Sequence, residues 1–410
     1  MVASTYAQEV VHPGDRASAY AAEVCRESFG NSSAVHVVPH QPGNFRGPVG
    51  FVWRSHIVEM MLETARQIEA GKQENWSVLE EPENDGAGGK PQFFSLLGTS
   101  EVMRGLGWEI ITMCADDLAR TGRFPAVMVN DIQAKLITKA NFPLFQAVMD
   151  GYGSALRAAR LVNITGEVAI MKNSITAFCD TGDEEQLVLT WGGVCLGVAR
   201  SDRLLDPQNI RPGMAVVGFL ENGYRCNGGT FFTNVMRAQY GSDPDALVRN
   251  HEARAFAAKL CVPSVSYAAA VTSLLGWLLD GSITTPRARV YGIAHITGGG
   301  VWGKFGELLP EGVGARLDAM PHPAEVMLQA QEFSRGTVHE LSDWDGYGNL
   351  NGGIGMLVVC HFDDVGKVLT CAETHGIRAQ YVGATTRCAS NEVLITSRFR
   401  EGRTLSSLER

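Results

Sequence analysis

The sequence lacks three features, each of which would indicate a common class of protein. Its nine cysteines include no Cys-x-x-Cys pair, so reduced thiols in a cytoplasmic protein are expected rather than a zinc site or a disulfide framework. The sequence contains no run of about 18 apolar residues, so no transmembrane helix is expected. The first residues lack the basic and apolar regions of a signal peptide. The net charge of −9 argues against a nucleic-acid binder, which needs a basic surface.

Apolar residues make up 45% of the 410 residues, enough for roughly two or three ordinary domains. Strand-like runs alternate with helical ones, which predicts an α/β or α+β fold. A Pro/Gly-rich connection at 207–213 predicts a boundary between two halves, residues 1–209 and 210–410. The expected helices are 16–29, 57–68, 143–159, 230–239 and 264–279; the expected strands are 108–113, 126–129, 187–198, 214–220, 290–296, 355–360 and 392–396; and 72–90 is expected to be a flexible loop.

The most informative segment is His-Ile-Thr-Gly-Gly-Gly at 295–300, which directly follows a strand-like run. Consecutive glycines leave backbone N–H groups uncovered, and such a turn can hold an anionic oxygen if it opens a helix. His295 and Thr297 add a titratable group and a hydroxyl. A plain turn without a ligand remains the alternative.

Two other glycine-rich segments carry polar side chains. In 84–90, Asp85 could hold Mg²⁺ and Lys90 could neutralise a phosphate, although such compositions are usually solvated loops. In 222–229, Arg225 and Asn227 precede an expected helix, where a phosphate or carboxamide could bind.

Acidic residues also stand beside apolar runs at two places. Asp116 and Asp117 could coordinate Mg²⁺, or they could simply cap a helix. Glu167 follows a glycine among apolar residues, where a carboxylate is costly to bury unless it is paired. A turn with an exposed glutamate is the alternative there.

Taken in order, these segments resemble the phosphoribosylformylglycinamidine cyclo-ligase (aminoimidazole ribonucleotide synthetase) family over about residues 84–390. The run 294–300 and the following Leu-Pro-Glu-Gly at 309–312 match that family almost letter for letter. The other similar segments, with the family's motif after each, are 84–90 (Thr-Asp-Gly-x-Gly-Thr-Lys), 113–117 (Met-Cys-x-Asn-Asp), 166–171 (Gly-Gly-Glu-Thr-Ala-Glu-Met, matched in part), 225–228 (His-Ser-Asn-Gly), 262–267 (Thr-Pro-Thr-Arg-x-Tyr) and 351–356 (Asn-x-Gly-x-Gly-Met).

The resemblance implies two α/β halves and a homodimer whose N-terminal strands join in a barrel. It implies a ligase of de novo purine biosynthesis that uses ATP and Mg²⁺ to close formylglycinamidine ribonucleotide to aminoimidazole ribonucleotide. By that resemblance, the metal ligands are Asp85 and Asp117; the ATP-binding residues are Asp85, Gly86, Gly88, Lys90, Asp117 and Glu167; the catalytic residues are His295, Arg225 and Asn227; and the ribonucleotide-binding residues are Asn227, Gly228, Thr297, Gly298, Gly299 and Gly300.

The chain departs from the family at several of these positions. The family has histidine where Arg225 stands, serine at Cys226, asparagine at Asp116, arginine at Val265, and Glu-Asn at Gly303-Lys304. Two alternatives therefore stay open: an ATP-dependent enzyme of the same fold that acts on another amide or phosphate acceptor, and a nucleotide-binding paralogue without catalysis.

Overall fold

The structure, a computed structural model, describes residues 12–38, 48, 50–71 and 76–409. Its strands are β1 (Val35–Val38), β2 (Gly50–Trp53), β3 (Val78–Gly86), β4 (Phe124–Ala134), β5 (Val162–Ile170), β6 (Leu189–Arg200), β7 (Ala215–Leu220), β8 (Val290–His295), β9 (Val313–Leu317), β10 (Ile354–Cys360), β11 (Ala379–Arg387), β12 (Val393–Thr396) and β13 (Thr404–Ser406). Its α-helices are α1 (Pro13–Glu27), α2 (Ser55–Glu69), α3 (Pro91–Leu97), α4 (Ser100–Leu106), α5 (Glu109–Ala119), α6 (Phe142–Ala159), α7 (Gly229–Tyr240), α8 (Pro244–Arg249), α9 (His251–Leu260), α10 (Ala268–Leu274), α11 (Gly300–Gly306), α12 (Glu325–Ser334), α13 (Asp343–Gly348) and α14 (Val365–Thr374).

The N-terminal half contains a four-stranded sheet in the order β3-β6-β4-β5. Along β6 the side chains alternate between buried residues, such as Trp191 and Cys195, and half-buried ones, such as Val194 and Leu196. This period of two is the pattern of a sheet with only one fully covered face. The covered face packs on α5, which contacts β3, β4 and β6.

The C-terminal half contains a seven-stranded sheet in the order β13-β12-β9-β11-β7-β10-β8. Every residue of its inner strand β10 is buried, as expected for a strand covered on both faces. The α/β fold class predicted from the sequence is therefore confirmed. The division into two domains stays a prediction, because one continuous hydrophobic core includes residues of both sheets.

Most expected elements are confirmed, but two expectations were wrong. The segment 72–90 was expected to be a loop, yet its residues 78–86 form β3, which pairs with β6 from end to end. The run 108–113 was expected to be a strand and lies instead in α5. This helix is buried on almost every side, so its sequence shows no helical periodicity. Glu167, for which a turn with an exposed glutamate was the alternative, is exposed but lies within β5.

Residues of β1, β2 and α2 cover part of the half-exposed face of the four-stranded sheet. The hairpin of β1 and β2 packs on Ala126, Val127 and Val162, and Ile57 of α2 packs beside Val198. This packing explains why the amphipathic pattern at 57–68 was readable from the sequence.

No helix within the described residues is long and apolar enough to cross a membrane. All nine cysteines are free.

Candidate functional site

Two of the glycine-rich segments meet backbone to backbone. Gly88 has a φ of +54°, and a Cβ at this position would overlap the carbonyl oxygen of Cys226. A Cβ at Gly89 would lie 3.0 Å from the Cα of Gly229. Only glycine allows so close an approach, so the segment 84–90 is fixed against the start of α7.

The triple glycine joins the same region. The carboxamide oxygen of Asn227 would lie 3.3 Å from a Cβ at Gly298. Gly298 and Gly299 are exposed, whereas Gly300, with a φ of +59°, has no space for a Cβ beside the carbonyl oxygen of Tyr347. Gly300 begins α11, which is seven residues long. Beside the exposed Gly298 and Gly299, Asn227 is partly exposed.

Arg225 lies at the centre of a buried polar network beneath these turns. Its side chain is 2% exposed. The Nη1 group donates to Glu221 Oε2 at 2.7 Å and to the carbonyl oxygen of Val265 at 2.8 Å. The Nη2 group donates to Asp116 Oδ2 at 3.2 Å and to His295 Nε2 at 2.8 Å. The charge is thus paired with two carboxylates, as a buried guanidinium requires.

The contact with Arg225 fixes the tautomer of His295. Because a guanidinium can only donate, Nε2 accepts and Nδ1 carries the proton, which it donates to Asp117 Oδ1 at 3.0 Å. Burial and then the positive charge of Arg225 lower the pKa of His295 from 6.5 to about 4. The resemblance implies a catalytic role for His295, which stays a prediction; in the structure both of its ring nitrogens are engaged in hydrogen bonds, with Arg225 and with Asp117.

Both neighbouring carboxylates of α5 are held by this network. Burial raises the pKa of Asp116 to about 7, opposed by Arg225, and its Oδ1 accepts the backbone N–H groups of Tyr267 and Ala268. Burial would also raise the pKa of Asp117, but its hydrogen bonds with His295 and Arg120 lower the pKa to about 2. Asp117 is therefore a carboxylate at neutral pH.

Asp85 lies on β3, close enough to Asp117 for the two charges to interact. Burial raises the pKa of Asp85, the charge of Asp117 raises it further, and Lys304 and Arg225 oppose the rise. Burial and Asp117 also raise the pKa of Glu83. Sequence reasoning missed Glu83, although residues two apart on a strand share a face.

The structure corrects the role assigned to Lys90. Its side chain is 0% exposed, and its Nζ lies 2.9 Å from Glu109 Oε1. It also donates to Ser264 Oγ and to the carbonyl oxygens of Tyr224 and Val262. With these partners Lys90 holds segments of the chain together and does not face a ligand. The partner Glu109 was missed, because a glutamate that starts an apolar run gives no signal of its own.

Glu167 lies apart from Asp85 within one chain. It is exposed on the edge strand β5. Across the sheet it pairs with Asp131, which pairs with Gly192, which in turn pairs with Gly86, the residue after Asp85. Three strand spacings separate the ends of this row, which is about 14 Å. Within one chain, Glu167 and Asp85 therefore lie on opposite edge strands of this sheet.

Among the described residues, no group of three or more His, Cys, Asp or Glu side chains is arranged to hold a metal ion by itself. Asp85 and Asp117 form a pair of carboxylates instead. Because Mg²⁺ is commonly held by one or two carboxylates together with substrate phosphates and water, this donor set fits a magnesium–nucleotide rather than a protein-bound ion alone.

Comparisons with known proteins agree with this architecture. Residues 276–395 match the AIR synthase related protein, C-terminal domain. The phosphoribosylformylglycinamidine cyclo-ligase of Synechococcus sp. (strain CC9902) is 27% identical over 282 residues, 67% of this chain and 71% of that protein. The protein of the same name from Bacillus subtilis (strain 168) is 24% identical over 279 residues, 68% of this chain and 72% of that protein.

Two solved structures show the same fold. Hydrogenase maturation protein HypE in complex with ATP has a TM-score of 0.53 and 15% identity, covering 86% of this chain and 94% of that one. HypE from E. coli has a TM-score of 0.51 and 14% identity, covering 95% and 97%. At these identities the likeness concerns the fold alone.

Proposed function

We propose that this chain, a divergent member of the AIR synthase related family, is an ATP-dependent cyclo-ligase of purine biosynthesis that forms aminoimidazole ribonucleotide from formylglycinamidine ribonucleotide. The activity named for its curated relatives supports this proposal. The free thiols favour a cytoplasmic location.

The reaction needs a phosphoryl transfer before the ring can close. The formamide oxygen of the substrate is a poor leaving group, so ATP first phosphorylates it. The neighbouring amidine nitrogen then attacks the activated carbon, a C–N bond forms, and phosphate leaves. Positioning and charge neutralisation supply most of the catalysis in such a transfer.

The observation that carries the proposal is the convergence of the three glycine segments beside Asp85 and Asp117. Gly88 and Gly89 are fixed against Cys226 and Gly229, while Asn227 lies at Gly298. We assign the 84–90 side of this region to the triphosphate of ATP. The Asn227 side is assigned to the ribonucleotide.

The residues that would hold Mg²⁺ are Asp85 and Asp117. Burial raises the pKa of Asp85, and the negative charge of Asp117 raises it further. The two carboxylates therefore repel each other, and a divalent cation between them would be favourable. When bound, Mg²⁺ neutralises charge on the phosphates. The chain itself keeps Asp117 ionised through its hydrogen bonds with His295 and Arg120.

The groups we assign to the ribonucleotide are the Asn227 carboxamide, the Thr297 hydroxyl and the exposed backbone of Gly228, Gly298 and Gly299. A small crevice is lined by Asn227 and Thr297, with Asn349 beside them. Amides and hydroxyls both donate and accept hydrogen bonds, so they can bind a phosphate or the amide-like end of the substrate.

A homodimer is part of the proposal. Glu167 and Asp85 lie on opposite edge strands of the four-stranded sheet. Among the described residues, each of these two strands pairs with another strand on one side only. A second copy that joins these edges would bring Glu167 of one chain to the nucleotide held by the other.

The test is turnover by the purified protein with ATP, Mg²⁺ and formylglycinamidine ribonucleotide. We expect aminoimidazole ribonucleotide and ADP in equal amounts. ATP hydrolysis without ring product would refute the substrate, and no ATP binding by calorimetry would refute the enzyme class and leave a paralogue without catalysis.

One observation favours a second candidate, an ATP-dependent enzyme of the same fold with another amide or phosphate acceptor. Lys304 stands where the resemblance gives the family an asparagine, and its charge acts on Asp85. A cation this close to the assigned phosphate site would suit an acceptor with more negative charge. ATP turnover that depends on such an acceptor would identify this candidate.

A further inference from the structure

A small crevice opens beside the triple glycine, and its walls come from three separate segments. The turn before α7 contributes Arg225 and Asn227, the segment after β8 contributes Thr297, and the segment after α13 contributes Asn349. The carbonyl oxygen of Asn349 would lie 3.1 Å from a Cβ at Gly228, so the third wall is packed directly against the first. The crevice is therefore a fixed feature of the fold.

The polar side chains of this crevice have unused hydrogen-bonding capacity. Among the described residues, none donates to or accepts from the side chains of Asn227, Thr297 or Asn349. Arg225 Nε is buried and also has no partner within the part of the chain that the structure describes. Because an unpaired buried donor is costly, we expect an acceptor here that the chain itself does not supply.

The contacts of Arg225 indicate that its Nε–H group faces this crevice. Nε and Nη2 share one edge of the planar guanidinium, and Nη2 donates to His295 Nε2 at 2.8 Å. The two residues that follow His295, Ile296 and Thr297, both line the crevice. A ligand atom in the crevice would therefore lie on the side of the guanidinium that carries the unused donor.

The size and the charge of the crevice restrict what this ligand atom can be. Its volume of about 10 Å³ holds about one water-sized group, so a whole phosphate does not fit. Glu221 Oε2 and Asp116 Oδ2 already pair with the guanidinium at 2.7 and 3.2 Å. Burial raises the pKa of Asp116 to about 7, but Glu221 alone balances Arg225 when Asp116 is protonated. A further anion would be buried without a counter-charge, so a single neutral oxygen is favoured.

We propose that the crevice is a subsite for a ribose hydroxyl of the ribonucleotide, and that Asn349 is a specificity-determining residue for it. The hydroxyl oxygen accepts from Arg225 Nε and donates to the carboxamide oxygen of Asn349. A hydroxyl can do both, whereas a carbonyl oxygen only accepts. The subsite rests on the proposed function, under which the formamide oxygen must stay open to ATP and is not the group enclosed here. The phosphate of the ribonucleotide then lies outside the crevice, on the exposed backbone of Gly298 and Gly299.

The experiment measures, by calorimetry, the binding of three sugar phosphates to the full chain: ribose 5-phosphate, 2-deoxyribose 5-phosphate and 3-deoxyribose 5-phosphate. We expect the wild type to bind ribose 5-phosphate about tenfold more tightly than one of the two deoxy forms, which is the effect of losing one hydrogen bond to a buried charged donor. The deoxy form that binds more weakly identifies the hydroxyl that enters the crevice.

Two variants test the residues that hold the hydroxyl. Asn349→Ala should remove the preference for ribose 5-phosphate with an unchanged unfolding midpoint, because its side chain makes no hydrogen bond with another described residue. Arg225→Lys keeps a positive charge beside Glu221 but has no Nε–H group, and it should remove the preference as well. The control Asn209→Ala changes an exposed asparagine outside the crevice and should keep the preference.

Equal affinities of the wild type for the three sugar phosphates, or binding of none of them, would overturn the subsite and leave a water molecule as the occupant of the crevice. A preference that persists in Asn349→Ala would overturn the role of Asn349. Turnover tests the proposed function separately. A preference that both variants lose, without any ring product from the wild type, would refute the cyclo-ligase and keep the subsite. Ring product formed by Asn349→Ala with the wild-type KM for the ribonucleotide would refute the subsite and keep the cyclo-ligase.

Discussion

The strongest prediction concerns the stability of the protein in mild acid. Burial and the charge of Arg225 lower the pKa of His295 from 6.5 to about 4, so the folded protein keeps this ring neutral where the unfolded chain protonates it. The unfolded state then binds more protons between these two pH values, and stability falls as pH decreases. A difference of this size corresponds to about 3 kcal/mol at most.

The perturbation is His295→Gln, whose amide can still accept from Arg225 but does not titrate. Free energies of unfolding are measured by urea denaturation at intervals from pH 7 to pH 4. The wild type should lose about 3 kcal/mol more than the variant over this range, with most of the difference appearing below pH 6.5. The exposed His339→Gln should follow the wild type.

Parallel curves for the wild type and His295→Gln would refute the reasoning, because they would mean that His295 has the same pKa in both states. A wild type that gains stability relative to the variant in acid would show the opposite sign. That result would mean that the imidazolium is stabilised by Asp117 more than it is opposed by Arg225.

Three further predictions concern the turns around the assigned phosphate site. Lys90→Met should destabilise the fold by about 3–5 kcal/mol because Glu109 is left buried without its cation, and the added substitution Glu109→Leu should recover much of this loss; equal unfolding midpoints for the single and double variants would contradict it. Gly88→Ala should lower the free energy of unfolding by about 1–3 kcal/mol and weaken ATP binding, because the added Cβ would overlap the carbonyl oxygen of Cys226 at a positive φ. An ATP affinity by calorimetry equal to that of the wild type would show that this close contact does not support nucleotide binding. Asp85→Asn should lower ATP turnover by about tenfold or more with little change in the unfolding midpoint; full turnover would exclude Asp85 from the site.

Local patterns were sufficient for much of the fold. The helix at 57–68 was predicted because only one of its faces is covered, and the strand at 187–198 because the four-stranded sheet alternates between buried and half-buried positions. The buried helix α5 was taken for a strand, since an element covered on all sides has no amphipathic period. β3 was taken for a loop because it is a polar edge strand whose pairing with residues 192–200 lies far away in sequence.

Part of the candidate site could also be predicted from local sequence patterns. The glycine turns and Asp85 could be predicted from the local composition of the sequence. The role of Lys90 could not be predicted, because a lysine can pair equally well with a phosphate or with a buried glutamate. Only the fold reveals that Glu109 lies 2.9 Å from its ammonium group, and that His295 is held between Arg225 and Asp117.

The arrangement of α5 shows how the two buried ion pairs and the assigned site depend on each other. Glu109 at its first turn pairs with Lys90, and Asp116 two turns later pairs with Arg225; seven residues apart, they lie on the same face of the helix. Asp117, the next residue, is directed instead to His295. Through these two ion pairs one face of α5 holds Lys90, which donates to the carbonyl oxygen of Tyr224, and holds Arg225 in the turn before α7. The next residue of the helix, Asp117, carries the carboxylate assigned to Mg²⁺. A change at Glu109 or Asp116 should consequently alter nucleotide binding even though neither side chain is exposed, because each holds a segment whose backbone forms the site.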